Sequence, residues 1–193
     1  MTEPTIERRE LLPALFDSPD EALFISGLAG AAKDTAAFTD DGANLFTMAG
    51  TMGAAVPMGL GVALNAPDRD VVVVTGDGEL LMGIGSLITV ASMAPANLSI
   101  VCIDNLQHGE TGGQTGHTSR ATDLEAIAKG SGLPSTMTIS NPDQMKDGAA
   151  FLKTASGPRF LLARVLPTAP SVYKRNFDPA ECRVRFRDAF LGA

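Results

Sequence analysis

The feature that most constrains this chain is a run of β-branched residues, Val71-Val72-Val73-Val74, cut off by Gly76-Asp77-Gly78. An unbroken run of this kind belongs to a strand buried on both faces, as in a parallel sheet. Residues 79–93 follow as an apolar stretch that reads as one long helix, which Pro95 stops. Ser99 to Ile103 is a second buried strand. Strand, turn, helix and strand make a parallel βαβ unit with a right-handed crossover.

The rest of the chain agrees with that unit. Residues 5–16 read as an amphipathic helix with Ile6, Leu11, Leu12, Leu15 and Phe16 on its apolar side. Ala22 to Ser26 is a short strand candidate. Met48 to Leu64 is rich in small residues and turns into a helix after Gly50–Gly53. Glycines 53, 59 and 61 would weaken an isolated helix, and they make sense if another backbone packs close. A glycine-rich loop spans 109–116, a helix Asp123–Gly130 is capped by Thr122 or Asp123, another helix lies around 142–155, and a strand runs from Phe160 to Val165. From about 167 the chain is irregular and polar, with a short helix near 179–190. The expected fold is α/β: a single doubly wound domain over 1–193 with a mostly parallel sheet.

Composition narrows the function. There are 15 basic and 22 acidic residues, a formal net charge of −7, which argues against a nucleic-acid surface. No stretch is apolar for long enough to cross a bilayer. The polar N-terminus has no signal core, and Cys102 and Cys182 stand in no ligand spacing, so a cytoplasmic, reducing location is expected.

In an open parallel sheet, ligands bind at the carboxyl ends of the strands. Here one end carries Gly76-Asp77-Gly78 and the other Asp104-Asn105. If the strands are neighbours, Asp77 offers a carboxylate and Asn105 an amide oxygen. These are hard donors of the kind magnesium shares with a phosphorylated ligand. Gly76 and Gly78 let the backbone approach that ligand, and the helix starting near Glu79 points free N–H groups at it. Gly-Asp-Gly alone could be only a turn; the asparagine ending the next strand favours the site. There is no Gly-x-Gly-x-x-Gly after a strand, and the loop Gly109–Gly116 lacks the lysine ending of a P-loop.

Gly-Asp-Gly followed at this distance by Asn resembles the signature of thiamine-diphosphate enzymes. The match runs through Glu79-Leu80-Leu81-Met82-Gly83-Ile84-Gly85-Ser86-Leu87, Pro95-Ala96-Asn97-Leu98 and Asp104-Asn105 to Thr111-Gly112-Gly113-Gln114. In this pattern the chain is similar to the sulfopyruvate and phosphonopyruvate decarboxylases, over about residues 5 to 190. Met48-Ala49-Gly50-Thr51-Met52-Gly53 resembles their cofactor-cradling turn. The resemblance implies a thiamine-diphosphate-binding fold of the diphosphate-binding type, with thiamine diphosphate and Mg2+ as cofactors. It assigns Asp77, Asn105 and the backbone carbonyl of Gln107 to the metal. It gives Gly50 a carbonyl for the cofactor's aminopyrimidine and makes Met52 the bulky residue under the cofactor's bend, although plain core would also explain Met52. Gly78 and Glu79 match positions whose N–H groups approach the diphosphate, and Gly109 opens the covering loop. Ser26 would add a hydroxyl, in a neighbourhood (Gly27-Leu28-Ala29-Gly30) with few others. The segment after Asn105 covers the cofactor in that family, so His108 and Glu110, with His117 behind them, are the candidates for proton handling or substrate contact.

The family's activating glutamate lies on a second, pyrimidine-binding domain, for which a chain of 193 residues leaves no room. An α subunit carrying that domain is therefore the expected partner, with homodimer contacts also open. The expected activity is that of the β subunit of a 2-oxoacid decarboxylase, converting 3-sulfopyruvate, a small acidic 2-oxoacid, to sulfoacetaldehyde and carbon dioxide. Rival readings are a phosphonopyruvate decarboxylase subunit, a 2-oxoacid:ferredoxin oxidoreductase β subunit, a transketolase-like enzyme and a non-catalytic cofactor-binding subunit. Two scattered cysteines disfavour the oxidoreductase, and the chain is short for a transketolase.

Overall fold

In the computed structural model, which describes residues 3–48 and 50–192, the valine run sits in the interior of a six-stranded sheet. The elements in chain order are α1 (Arg8–Leu15), β1 (Leu23–Ser26), α2 (Ala29–Thr39), β2 (Leu45–Thr47), α3 (Ala55–Asn65), β3 (Val71–Gly76), α4 (Asp77–Met82), α5 (Ser86–Met93), β4 (Leu98–Asp104), β5 (Gln107–His108), β6 (Gln114–Thr115), α6 (Leu124–Gly130), β7 (Ser135–Ile139), α7 (Met145–Thr154), β8 (Arg159–Arg164) and α8 (Pro179–Leu191). The sheet order is β2-β1-β3-β4-β8-β7, and all of its pairings are parallel. β5 and β6 form a separate antiparallel ribbon.

Alternation along the strands divides the core into two layers. Leu23, Ile25, Val71 and Val73 face a cluster that includes α3, α5 and α6. Phe24, Val72 and Val74 face the other side, covered by α1, α2 and α7. Val71 to Val74 are all buried, and each such side chain is worth about 1.5–3 kcal/mol of apolar burial. The sheet is thus doubly wound, as expected. β3 and β4 are neighbours, with Gly76 opposite Ile103, so the Asp77 and Asn105 ends emerge side by side.

Several expectations need correction. The stretch 79–93 is not one helix: α4 starts at Asp77 and stops at Met82, and α5 starts at Ser86. The break lies where Gly83 meets Gly53, since a Cβ on Gly83 would come 2.1 Å from the Gly53 carbonyl oxygen. That close backbone approach explains Gly53, as anticipated. Gly59 instead accommodates the Val73 side chain, and Gly61 faces open space. The first helix is shorter than 5–16, because Ile6 bridges to Val165 at the sheet. α2, β2 and β7 had no counterpart in the sequence reading. Asp123, not Thr122, caps α6 by accepting a hydrogen bond from the Ala126 N–H. Ala49, in the turn after β2, lies outside the described residues.

Candidate active site

The order of the strands reverses between β1 and β3, and a cleft of about 410 Å³ opens at their carboxyl ends. Its floor is Gly76 to Glu79. One wall is the loop from Asn105 to Thr111, another is the start of α2 from Leu28 to Ala31, and the tail segment 167–170 closes a further side. Of the residues singled out in the sequence, Met52, Gly76, Asp77, Gly78, Glu79, Asn105, Gln107, His108, Gly109 and Glu110 line this cleft. Ser26 is fully buried behind it, its Oγ without a partner, and Gly50 and His117 are not part of the lining. Gly50 has φ +107°, a conformation that suits glycine.

Asp77 is only 5% exposed. Burial, and next the charge of Asp104, push its carboxyl up from 3.8 to about 7. Thr118 ties the two acids together: its hydroxyl lies 2.7 Å from Asp104 Oδ1 and 3.4 Å from Asp77 Oδ2. Asp104 is anchored by Arg164, whose Nε stands 3.5 Å from Oδ2. Arg164 also donates to the Thr118 carbonyl at 2.9 Å, which pins the end of the covering loop beneath the site. Among the described residues no cation pairs with Asp77. A buried carboxyl lacking a counter-ion among the described residues, with the Asn105 amide just past the end of the adjoining strand, makes a fitting pair of donors for a divalent cation.

Glu79 is buried too, and desolvation holds its carboxyl above the usual range. Its Oε2 accepts from the Leu28 N–H and from the Thr75 hydroxyl, each at 3.0 Å. The side chain therefore binds the β1 turn to the end of β3, while its backbone remains at the cleft floor. Glu110 pairs with Lys33 at 2.9 Å. His108 lies over Gly78, its Nδ1 3.3 Å from where a Cβ on Gly78 would stand, and its ring centroid is 6.0 Å from that of His117.

The family described as thiamine pyrophosphate enzyme, C-terminal TPP binding domain, matches residues 30–162. The chain belongs to the thiamine pyrophosphate enzymes. The sulfopyruvate decarboxylase subunit beta of Methanocaldococcus jannaschii is 33% identical over 183 residues, covering 95% of this chain and 96% of that one. The phosphonopyruvate decarboxylase of Streptomyces viridochromogenes is 40% identical over 149 residues, 77% of this chain but 37% of the relative. A solved structure assigned to the thiamin diphosphate-dependent enzymes, isolated from Mycobacterium smegmatis, superposes with a TM-score of 0.71 at 24% identity, over 84% of this chain and 32% of that chain. The last likeness shows the fold alone.

For a thiamine pyrophosphate enzyme, this chain has site features that the sequence reading missed. Thr118, Arg164, Arg8 and the wall at 167–170 come from segments with no motif of their own. Arg8 had no signal in the sequence, because its buried partner Asp34 sits in α2, which lacks a strong apolar stripe.

Proposed function

We propose that this chain is the β subunit of a thiamine-diphosphate-dependent 2-oxoacid decarboxylase that converts 3-sulfopyruvate to sulfoacetaldehyde and carbon dioxide, with Mg2+ as the anchoring ion. The observation that carries the reading is Asp77: a buried carboxyl without a counter-ion, next to Asn105, on the glycine floor of the cleft. Asp77, Asn105 and the Gln107 carbonyl would hold the metal. The N–H groups around Gly76, Gly78 and Glu79 would face the diphosphate, with Gly109 at the edge of the covering loop. When bound, the cofactor supplies the carbon nucleophile and the electron sink for loss of carbon dioxide.

Met52 is the side chain on which the bent cofactor would rest, with the Gly50 carbonyl as an acceptor for the aminopyrimidine. Ser26 would contribute no hydroxyl to the cleft; its carbonyl accepts from the Met48 N–H at 3.0 Å and its Oγ is buried. His108, over Gly78, is the candidate to deliver a proton at the cleft mouth, and Glu110 orders that mouth through Lys33. An α subunit would complete the site on the side of Met52. The exposed apolar side chains of Met52 and Met82, joined through the contact of Gly53 with Met82 and Gly83, provide it with a surface there, at 42% and 67% exposure.

Coverage favours the sulfonate over the phosphonate substrate: the chain spans 96% of the sulfopyruvate relative and 37% of the phosphonopyruvate one. The higher local identity of the latter, 40%, keeps phosphonopyruvate as the second reading. Both cysteines are buried, one in β4 and one in α8, and two thiols do not make the ligand set of a cluster, which disfavours an iron–sulfur oxidoreductase. The test is Asp77→Ala. Calorimetry should show loss of Mg2+-dependent thiamine diphosphate binding with an unchanged circular dichroism spectrum. Unaltered affinity in the folded variant would remove the reading.

A further inference from the structure

We infer that Arg8 binds the terminal phosphate of the cofactor, an assignment that rests on the reading of the cleft as a thiamine diphosphate site. Arg8 is the first residue of α1 and is 5% exposed, yet it lines the cleft. The charge of this buried arginine is balanced by Asp34, but its donors are not all used. Nε donates to Asp34 Oδ2 at 2.8 Å and Nη2 lies 2.7 Å from the same oxygen. Asp34 Oδ1 in turn accepts from the Ser171 N–H at 2.7 Å, which fixes the carboxylate against the tail. The guanidinium is thus held by one edge. Nη1 has no hydrogen-bond acceptor among the described residues, and it is the group left for a ligand oxygen.

The surroundings point to phosphate. Arg8 reaches the cleft directly under the first turn of α2, where a Cβ on Gly30 would lie 2.3 Å from Nη2. That turn has no side-chain cap and no acidic residue, and the N–H groups of its first residues have no partner within the helix. Gly27-Leu28-Ala29-Gly30 brings no hydroxyl, and Ser26 Oγ is buried off the cleft. Without Arg8, a terminal phosphate at this place would meet backbone amides alone, near the carboxyls of Asp77 and Glu79.

The layers of the fold separate Arg8 from the reacting end. α1 and α2 cover the sheet face of Phe24, Val72 and Val74, whereas α3, which follows Met52, covers the face of Leu23, Ile25 and Val73. A ligand with its bend at Met52 and its metal at Asp77 crosses the sheet edge and ends at Arg8. A 2-oxoacid would react at the Met52 end, so Arg8 serves the diphosphate and not the substrate.

Removing only the contact to the terminal phosphate should alter how the protein discriminates between thiamine diphosphate and thiamine monophosphate. Titration calorimetry at saturating Mg2+ would measure both ligands on the assembly with its partner subunit. Because Arg8→Gln leaves Asp34 without its cation, the double variant Arg8→Gln/Asp34→Asn serves beside it and keeps the pair neutral. Loss of a charge-assisted hydrogen bond should weaken thiamine diphosphate roughly tenfold to a hundredfold. Binding of the monophosphate should stay within about twofold, and Arg8→Lys should recover part of the loss. Equal loss for both ligands, or none for either, in the folded double variant overturns the role of Arg8 while wild-type binding upholds the cofactor site. Absence of binding to either ligand by the wild-type assembly overturns both.

Discussion

The Glu79 carboxylate occupies the place that a side chain on Gly27 would need: a Cβ built on Gly27 would stand 1.6 Å from Glu79 Oε2. The fourth residue of Gly-Asp-Gly-Glu is therefore a tether between two strand ends, and the glycine after Ser26 is its complement.

Gly27→Ala should displace that carboxylate and break its bonds to the Leu28 N–H and Thr75 hydroxyl. Stability should fall by about 1–3 kcal/mol. Glu79→Ala should cost a similar amount by leaving the same donors unpaired. The two losses share one cause, so urea denaturation of the double variant should show less than their sum. Strict additivity would mean that the two residues act separately.

Asp77 would give the proposed metal site a pH dependence. Its carboxyl is raised from 3.8 to about 7, so below about pH 7 a proton occupies the place a cation needs. Mg2+ affinity should rise with pH and level off above about pH 7, with a proton released on binding. The sign for stability is the reverse. The folded state holds this proton more tightly than the unfolded one, so the stabilisation present below about pH 4 is lost as pH rises through about 7. Thermal midpoints in EDTA should decline over that range through this group, Mg2+ should offset the decline, and Asp77→Asn should flatten it. An equal slope in the Asn variant would assign the effect elsewhere.

The legible part of this molecule was the part with repeating or punctuated chemistry. Val71 to Val74, the Gly-Asp-Gly break and the Asp104-Asn105 end gave the central strands and the two neighbouring carboxyl ends that line the cleft. β7 was hidden because Ser135-Thr136-Met137-Thr138 is a half-buried edge strand with no apolar run. α2, AGAAKDTAAFT, lacks a strong apolar stripe because alanines pack close to the sheet. The broken helix at Gly83–Gly85 depends on a backbone contact with Gly53, which no local pattern could reveal. The same holds for the cleft: Thr118 and Arg8 reach it only through tertiary contacts, Thr118 through Asp104 and Arg8 through Asp34.

Met52 is 42% exposed and lines the cleft, so its truncation should cost little stability, within about 1 kcal/mol. Met52→Ala should bind thiamine diphosphate nearly as well as the wild type, because the proposed metal and diphosphate contacts lie elsewhere. Turnover by the assembly should fall at least about tenfold, since on the proposed reading the side chain sets geometry at the reacting end. Parallel losses of affinity and rate would instead make Met52 a packing residue.

The final prediction concerns what this chain cannot do alone. Three carboxylates border the cleft: Asp77, Glu79 and Glu110. On the proposed reading Asp77 holds the metal, Glu79 is engaged through Oε2 by Leu28 and Thr75 with its Oε1 buried, and Glu110 is paired with Lys33. Among the described residues none is left to face an aminopyrimidine resting against Met52, and Met52 itself is partly open to water. Charge stabilisation is weaker in such a solvated cleft. The isolated chain should therefore fold but release carbon dioxide from 3-sulfopyruvate slowly or not at all, even at high cofactor concentration. The same half-open cleft should also bind thiamine diphosphate weakly. Adding the α subunit should raise affinity and turnover together. The measurement is carbon dioxide release from 3-sulfopyruvate, phosphonopyruvate and pyruvate, with each subunit alone and with both. Robust turnover by this chain alone would show that the site is complete within it, and a restored preference for phosphonopyruvate would change the substrate while leaving the shared site in place.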